Sequence, residues 1–213
     1  GYRPPPGSKT STGGRMGFHM PRRELKMVLY AGLVWTVYNL AYFSIISFGP
    51  ALLLERGLDV AAAGAAISLA SWAALPALPL GGYLADRTGR PDLVLGISCI
   101  LAAGAAALLP MTDHPYLLCA IVGLFAAAPA GLIMGRAISL MSPPHRAQGN
   151  AILYTFFYGG MGLIPSVVGW GADVTGTAAT PLYFSASALL LSVPLFLVLH
   201  AMASRLSVER AAV

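Results

Sequence analysis

The chain has 213 residues, 57% of them hydrophobic and only 10% charged, with a mean hydropathy of +0.72 and a formal net charge of +5. Soluble domains carry about 25% charged residues, so this composition excludes an ordinary water-soluble globule and points to a membrane. The two cysteines, Cys99 and Cys119, sit inside apolar runs without CxxC spacing or a nearby histidine cluster, which reads as packing and offers no metal or cofactor site.

Residues 1–26 are rich in Pro, Gly, Ser and basic side chains and have no apolar core. They read as a flexible basic linker rather than a signal peptide. A chain that opens in a linker is expected to be part of something longer. Six apolar stretches follow, at 27–53, 60–85, 93–109, 116–141, 150–174 and 181–203. Each is near the ~20 residues that a membrane-crossing helix needs. The expected organisation is a linker over 1–26, a six-helix transmembrane bundle over 27–205 and a tail over 206–213. Pro76, Pro79, Pro129, Pro165 and Pro194 fall within the spans, where neighbouring helices can satisfy the carbonyls they free.

The first span carries "WTVYNLAY". Trp35, Tyr38, Asn39 and Tyr42 recur at helical spacing and predict one face. An amide in hydrocarbon needs a partner or a wet cavity, so this face reads either as a substrate surface or as helix packing with Asn39 bonded to a neighbour. Ser68, Ser71 and Trp72 on the second span give a weaker signal. The fifth span offers Tyr154 and Tyr158 one turn apart, among Gly159, Gly160 and Gly162, and reads as packing or as a second part of the same surface. All eight carboxylates lie in loops or at span ends, no Lys or Arg lies at mid-span, and His19, His114, His145 and His200 are peripheral. No proton relay and no fixed counter-charge for an anion is therefore visible within the spans.

The second span ends in "GGYLADRTGR", and the fifth ends in "GWGADVTG". Gly82, Ala85, Asp86, Thr88 and Gly89 match Gly169, Ala172, Asp173, Thr175 and Gly176 at an offset of 87 residues, while Arg87 becomes Val174. An offset of three spans puts the two turns on opposite sides of the membrane. Basic residues favour the cytoplasmic side. With the N-terminus there, 12 of the 13 Lys and Arg are cytoplasmic and only Arg56 is outside. The second turn thus keeps its backbone residues and loses its positive charge. Two three-helix units related by inversion are a recognised build for secondary transporters. The fold class is an all-α membrane protein of six helices in two inverted three-helix repeats.

The turn residues have physical roles of their own. Gly82 allows close helix approach, and Gly89 can take a positive φ. Asp86 suits the N-terminus of a neighbouring helix. Arg87 and Arg90 can pair with Asp86, Asp92 or anionic lipid heads.

The stretch from Gly82 to Arg90 resembles the signature loop of the major facilitator superfamily, G-x-L-x-D-R-x-G-R, with Pro91 where a further basic residue is common. The stretch ending at Gly176 is similar to the family's eleventh helix. The resemblance implies the C-terminal half of a twelve-helix secondary carrier, working by alternating access. Its partners would be the N-terminal six-helix half, the lipid bilayer and a small-molecule substrate, with a coupled proton or ion left open and no nucleic acid. It implies a bacterial-type plasma membrane with both termini cytoplasmic. Gly82, Asp86, Arg87, Gly89 and Arg90 would form a conformational latch, with Arg146 as a reciprocal element and Gly169, Asp173 and Gly176 as the repeat counterpart. It also places the first-span face on a central cavity. A general resemblance to organic-anion and cyanate-type carriers leaves the substrate open. A rhomboid-type protease lacks its serine motif here, since Gly96-Ile97-Ser98-Cys99 has no second glycine, and channel filter sequences are missing too. A non-transporting sensor derived from the carrier fold is the alternative.

Overall fold

The computed structural model describes residues 20–211, with side chains through Arg205. Residues 1–19 of the expected linker and residues 212–213 lie outside the described part. The described residues form α1 (Arg22–Glu55), α2 (Val60–Thr88), α3 (Pro91–Leu108), α4 (Pro115–Ala127), α5 (Pro129–Ser139), a 3-10 turn at Pro143–His145, α6 (Arg146–Thr175) and α7 (Thr180–Ala211). Six of the resulting segments are long and apolar enough to span a membrane, α4 and α5 together making the fourth.

Local chemistry sets the ends. Asp59 caps α2 by accepting from the Ala62 N–H at 2.7 Å. Pro91 and Pro115 open α3 and α4 at a position where a missing N–H costs nothing. Pro50, Pro76, Pro79, Pro165 and Pro194 are carried inside continuous helices. At Pro129 the hydrogen-bonded ladder of the fourth span is interrupted, although Ala128 keeps helical dihedrals (φ −54°, ψ −39°) and Pro115–Ser139 still forms one spanning segment, as expected. α7 runs on to Ala211, so most of the expected tail is helix.

Side-chain contacts sort the connections onto two ends. Arg56, closing α1, donates to the carbonyls of Leu109 (2.9 Å) and Thr112 (2.6 Å) and pairs with Asp113, all between α3 and α4. Its neighbour Glu55 accepts from the Ala178 N–H between α6 and α7 at 2.9 Å. At the other end, Glu24 in the first turn of α1 meets Ser142 and His145 between α5 and α6. The helices therefore alternate in direction, as short connections require.

The interior is built largely from Ala, Gly and Ser, with Ile45, Leu53, Phe196 and Leu199 among the larger buried side chains. Apolar surface gains little from leaving lipid, so close backbone approach and van der Waals contact hold such helices together. A Cβ on Gly123 would lie 2.7 Å from the Ala70 carbonyl carbon, and one on Gly81 would lie 2.9 Å from the Ala128 Cα. These two contacts lock α2 against α4 and against the break below it. Gly82, expected to provide such an approach, has nothing within 4 Å of its Cβ position. The close contact belongs to Gly81, one residue earlier and on the inward face.

Candidate functional site

The inverted repeat is visible in backbone detail. Gly89 ends α2 at φ 65°, ψ 13°, and Gly176 ends α6 at φ 69°, ψ 21°. Both N–H groups close back on the residue four earlier, Ala85 at 2.9 Å and Ala172 at 2.8 Å. Thr88 and Thr175 each donate to their own helix, to Leu84 at 2.7 Å and Gly171 at 2.8 Å. Only glycine adopts this left-handed cap without strain, which explains why both turns keep it.

The two turns differ in what they face. Gly82, Ala85, Asp86, Gly89 and Pro91 line one side of an open cleft of about 590 Å³, and Gly131, Leu132, Gly135 and Arg136 of α5 line the other. Asp86 is exposed and has no ion pair or hydrogen bond among the described residues. Arg87 does not pair with Asp86 or Asp92. It donates to the Tyr83 hydroxyl at 2.9 Å and stacks over that ring, one helical turn back and within easy reach. Arg90 and Arg146 are exposed at the same end. The cation that shares the cleft with Asp86 is Arg136, which the sequence pattern did not single out. Asp173 is exposed at the opposite end, beyond the reach of this cleft.

The first-span stripe is divided. Tyr38 is only 3% exposed and turns toward α4, where its hydroxyl donates to the Ala126 carbonyl. Trp35, Asn39 and Tyr42 stay half-buried on the neighbouring side. The Asn39 amide donates to the Trp35 carbonyl at 2.7 Å, so its own helix satisfies that donor. Trp35 lies 6.5 Å from Phe157 of α6, Phe157 meets Tyr158 edge-on at 5.0 Å, and Tyr158 stacks on Tyr154 at 6.1 Å. Phe43 closes the belt at 6.0 Å from Phe157, with Tyr42 at its edge.

The structure thus brings Trp35, Tyr42, Tyr154 and Tyr158 onto one aromatic face and removes Tyr38 from it. Phe43 and Phe157, which link the belt, have no polar atom and carried no functional signal in sequence. Close packing makes the face continuous. A Cβ on Gly32 would lie 3.2 Å from Phe156, and one on Gly160 would press into Thr36 and Leu40. Tyr158 is 67% exposed and Tyr154 45% exposed, so this end of the belt is open. Aromatic faces and hydroxyls together suit a small polar solute with C–H surface.

A family model for the Major Facilitator Superfamily matches residues 32–212. The chain belongs to the Major Facilitator Superfamily. This makes it an integral membrane protein of a transporter family, and the six apolar helices agree. A protein from Agrobacterium vitis carrying the name of a tartrate transporter is 29% identical over 177 residues, covering 81% of this chain. The chain spans 39% of that relative's length. No solved structure matches. Within this superfamily chain, the turn from Gly82 to Arg90 lies at a cleft rim, and Asp86 has no hydrogen bond or ion pair among the described residues.

Proposed function

We infer that this chain is the C-terminal six-helix body of a secondary carrier that moves a small organic anion by alternating access. The observation that carries this reading is which helices are left uncovered. Only 11% of the most apolar stretch of α6 and 28% of that of α2 are buried, against 44–50% for the other four spans. α2 and α6 are also the repeat equivalents, ending in the same cap 87 residues apart. They are the two least buried spans, as equivalent positions in an inverted repeat would be, and a second six-helix body packed across both would cover them together.

In that assembly the aromatic face of α1 and α6 borders the path between the two bodies. The unpartnered Asp86 then meets a helix N-terminus of the second body, where a carboxylate is favoured, and holds one state of the cycle. The relative's name and the belt together suggest a hydroxy-dicarboxylate, with aromatic contacts to its carbon skeleton. None of the described spans carries Lys or Arg at its middle, so the carboxylates find their counter-charge on the second body. The basic end, with Arg87, Arg90, Arg136 and Arg146, faces the cytoplasm of a bacterial-type plasma membrane.

Uptake of labelled tartrate into proteoliposomes, with unlabelled mono- and dicarboxylates as competitors, tests the reading. Saturable uptake competed by dicarboxylates is expected. Tight binding without uptake would instead favour a non-transporting sensor.

A further inference from the structure

The break in the fourth span is occupied. Pro129 has no N–H, so the helix loses a ladder bond at this point. One residue beyond the carbonyl it frees, the Tyr38 hydroxyl donates to the Ala126 carbonyl, four residues before the Ala130 N–H. An unbroken α-helix would pair those two groups with each other. The phenol therefore supplies a donor at the interrupted ladder, from a side chain that is 3% exposed and reaches in from α1.

The surroundings differ on the two sides of the break. α4 is fixed by the contact of Gly123 with the Ala70 backbone, and the break itself by the contact of Gly81 with Ala128. Beyond Ala128, the exposed Gly131 and Gly135 have nothing within 4 Å of their Cβ positions, and both border the cleft shared with Asp86. One half of the span is locked and the other has room on one side.

We propose that Tyr38 is the positioning residue of a hinge at Ala128–Pro129, which lets α5 tilt against α4 and change the width of the cleft at the basic end. The inserted hydroxyl satisfies the Ala126 carbonyl without fixing the helical geometry beyond it, since a side chain with two torsions can follow a tilt that a ladder bond resists. The hinge stands on its own geometry and rests on the transport reading only for its consequence, that the cleft opens and closes during a cycle.

The test is pulsed EPR on the full protein in lipid nanodiscs, with Cys99→Ala and Cys119→Ala as background. A label pair at Leu108→Cys and Ser139→Cys reports α5, and a pair at Leu93→Cys and Leu117→Cys reports α4. In Tyr38→Phe the Ala130 N–H is free to return to the Ala126 carbonyl. The α5 distribution is expected to narrow and shift by about 2 Å, the size of helix movements in such transitions, while the α4 pair stays put. Pro129→Ala restores the missing donor and is expected to shift the α5 pair in the same sense. It keeps the test available should Tyr38→Phe not fold. An unchanged α5 pair in either folded variant, or equal movement of both pairs, would overturn the hinge. None of these readouts requires transport, so the hinge and the carrier reading stand or fall separately.

Discussion

The Glu24 carboxylate accepts the Ser142 N–H at 2.6 Å, tying the first turn of α1 to a connection 118 residues later. The Ser142 hydroxyl and the His145 Nδ1, at 2.9 Å, complete the clasp. At 34 residues α1 exceeds the ~20 needed to cross, and Glu24 precedes the apolar stretch, outside the spanning segment. Burial alone would raise its carboxyl. The Ser142 N–H, the His145 imidazole and the Ser142 hydroxyl outweigh that and hold it below the usual glutamate range.

A depressed carboxyl stabilises the fold above its unfolded value, and that contribution is lost as pH falls through the folded one. Glu24→Gln is expected to lower stability by about 2 kcal/mol at neutral pH, the scale of a hydrogen bond to a charged group. The deficit should shrink on acidification below the normal glutamate range. Thermal unfolding in detergent at neutral and acidic pH checks this. A deficit independent of pH would mean that the clasp does not depend on the charge.

Gly81→Ala and Gly123→Ala each push a methyl group into a facing backbone that has no side chain to move aside. Each is expected to cost about 1–3 kcal/mol. Gly82→Ala, with open space at the same level, should be neutral or slightly stabilising because alanine favours helix. Melting temperatures of the three variants in one detergent decide it.

Most of the fold was legible in the sequence because apolar length and turn residues are local signals. The spans, the αL glycines at 89 and 176 and the caps follow from residue type. The break at Pro129 was not legible, since five other span prolines are accommodated within helices. What distinguishes Pro129 is a tyrosine 91 residues earlier that bonds the carbonyl next to the one it frees. The stripe on α1 was half legible. Spacing placed Trp35, Tyr38, Asn39 and Tyr42 on adjoining positions, but only tertiary packing decides that Tyr38 turns to α4. The Glu24 clasp joins residues far apart in the chain and leaves no periodic mark.

Asp86→Asn removes a charge that has no hydrogen bond or ion pair among the described residues, so melting temperature should not change. On the carrier reading, uptake should fall while substrate binding persists, measured by flux and by equilibrium binding on the same preparation. Loss of binding in step with uptake would place Asp86 in the substrate site instead of a latch.

The most direct test of a solute path along the α1–α6 face concerns Tyr158, at the open end of the aromatic belt. Tyr158→Cys, in a background lacking Cys99 and Cys119, would be treated with a charged thiol reagent in proteoliposomes before tartrate uptake is measured. Modification is predicted to block uptake, and tartrate present during the treatment is predicted to slow modification. Undiminished uptake after complete modification would contradict the assignment, because the solute path could then not run along this face.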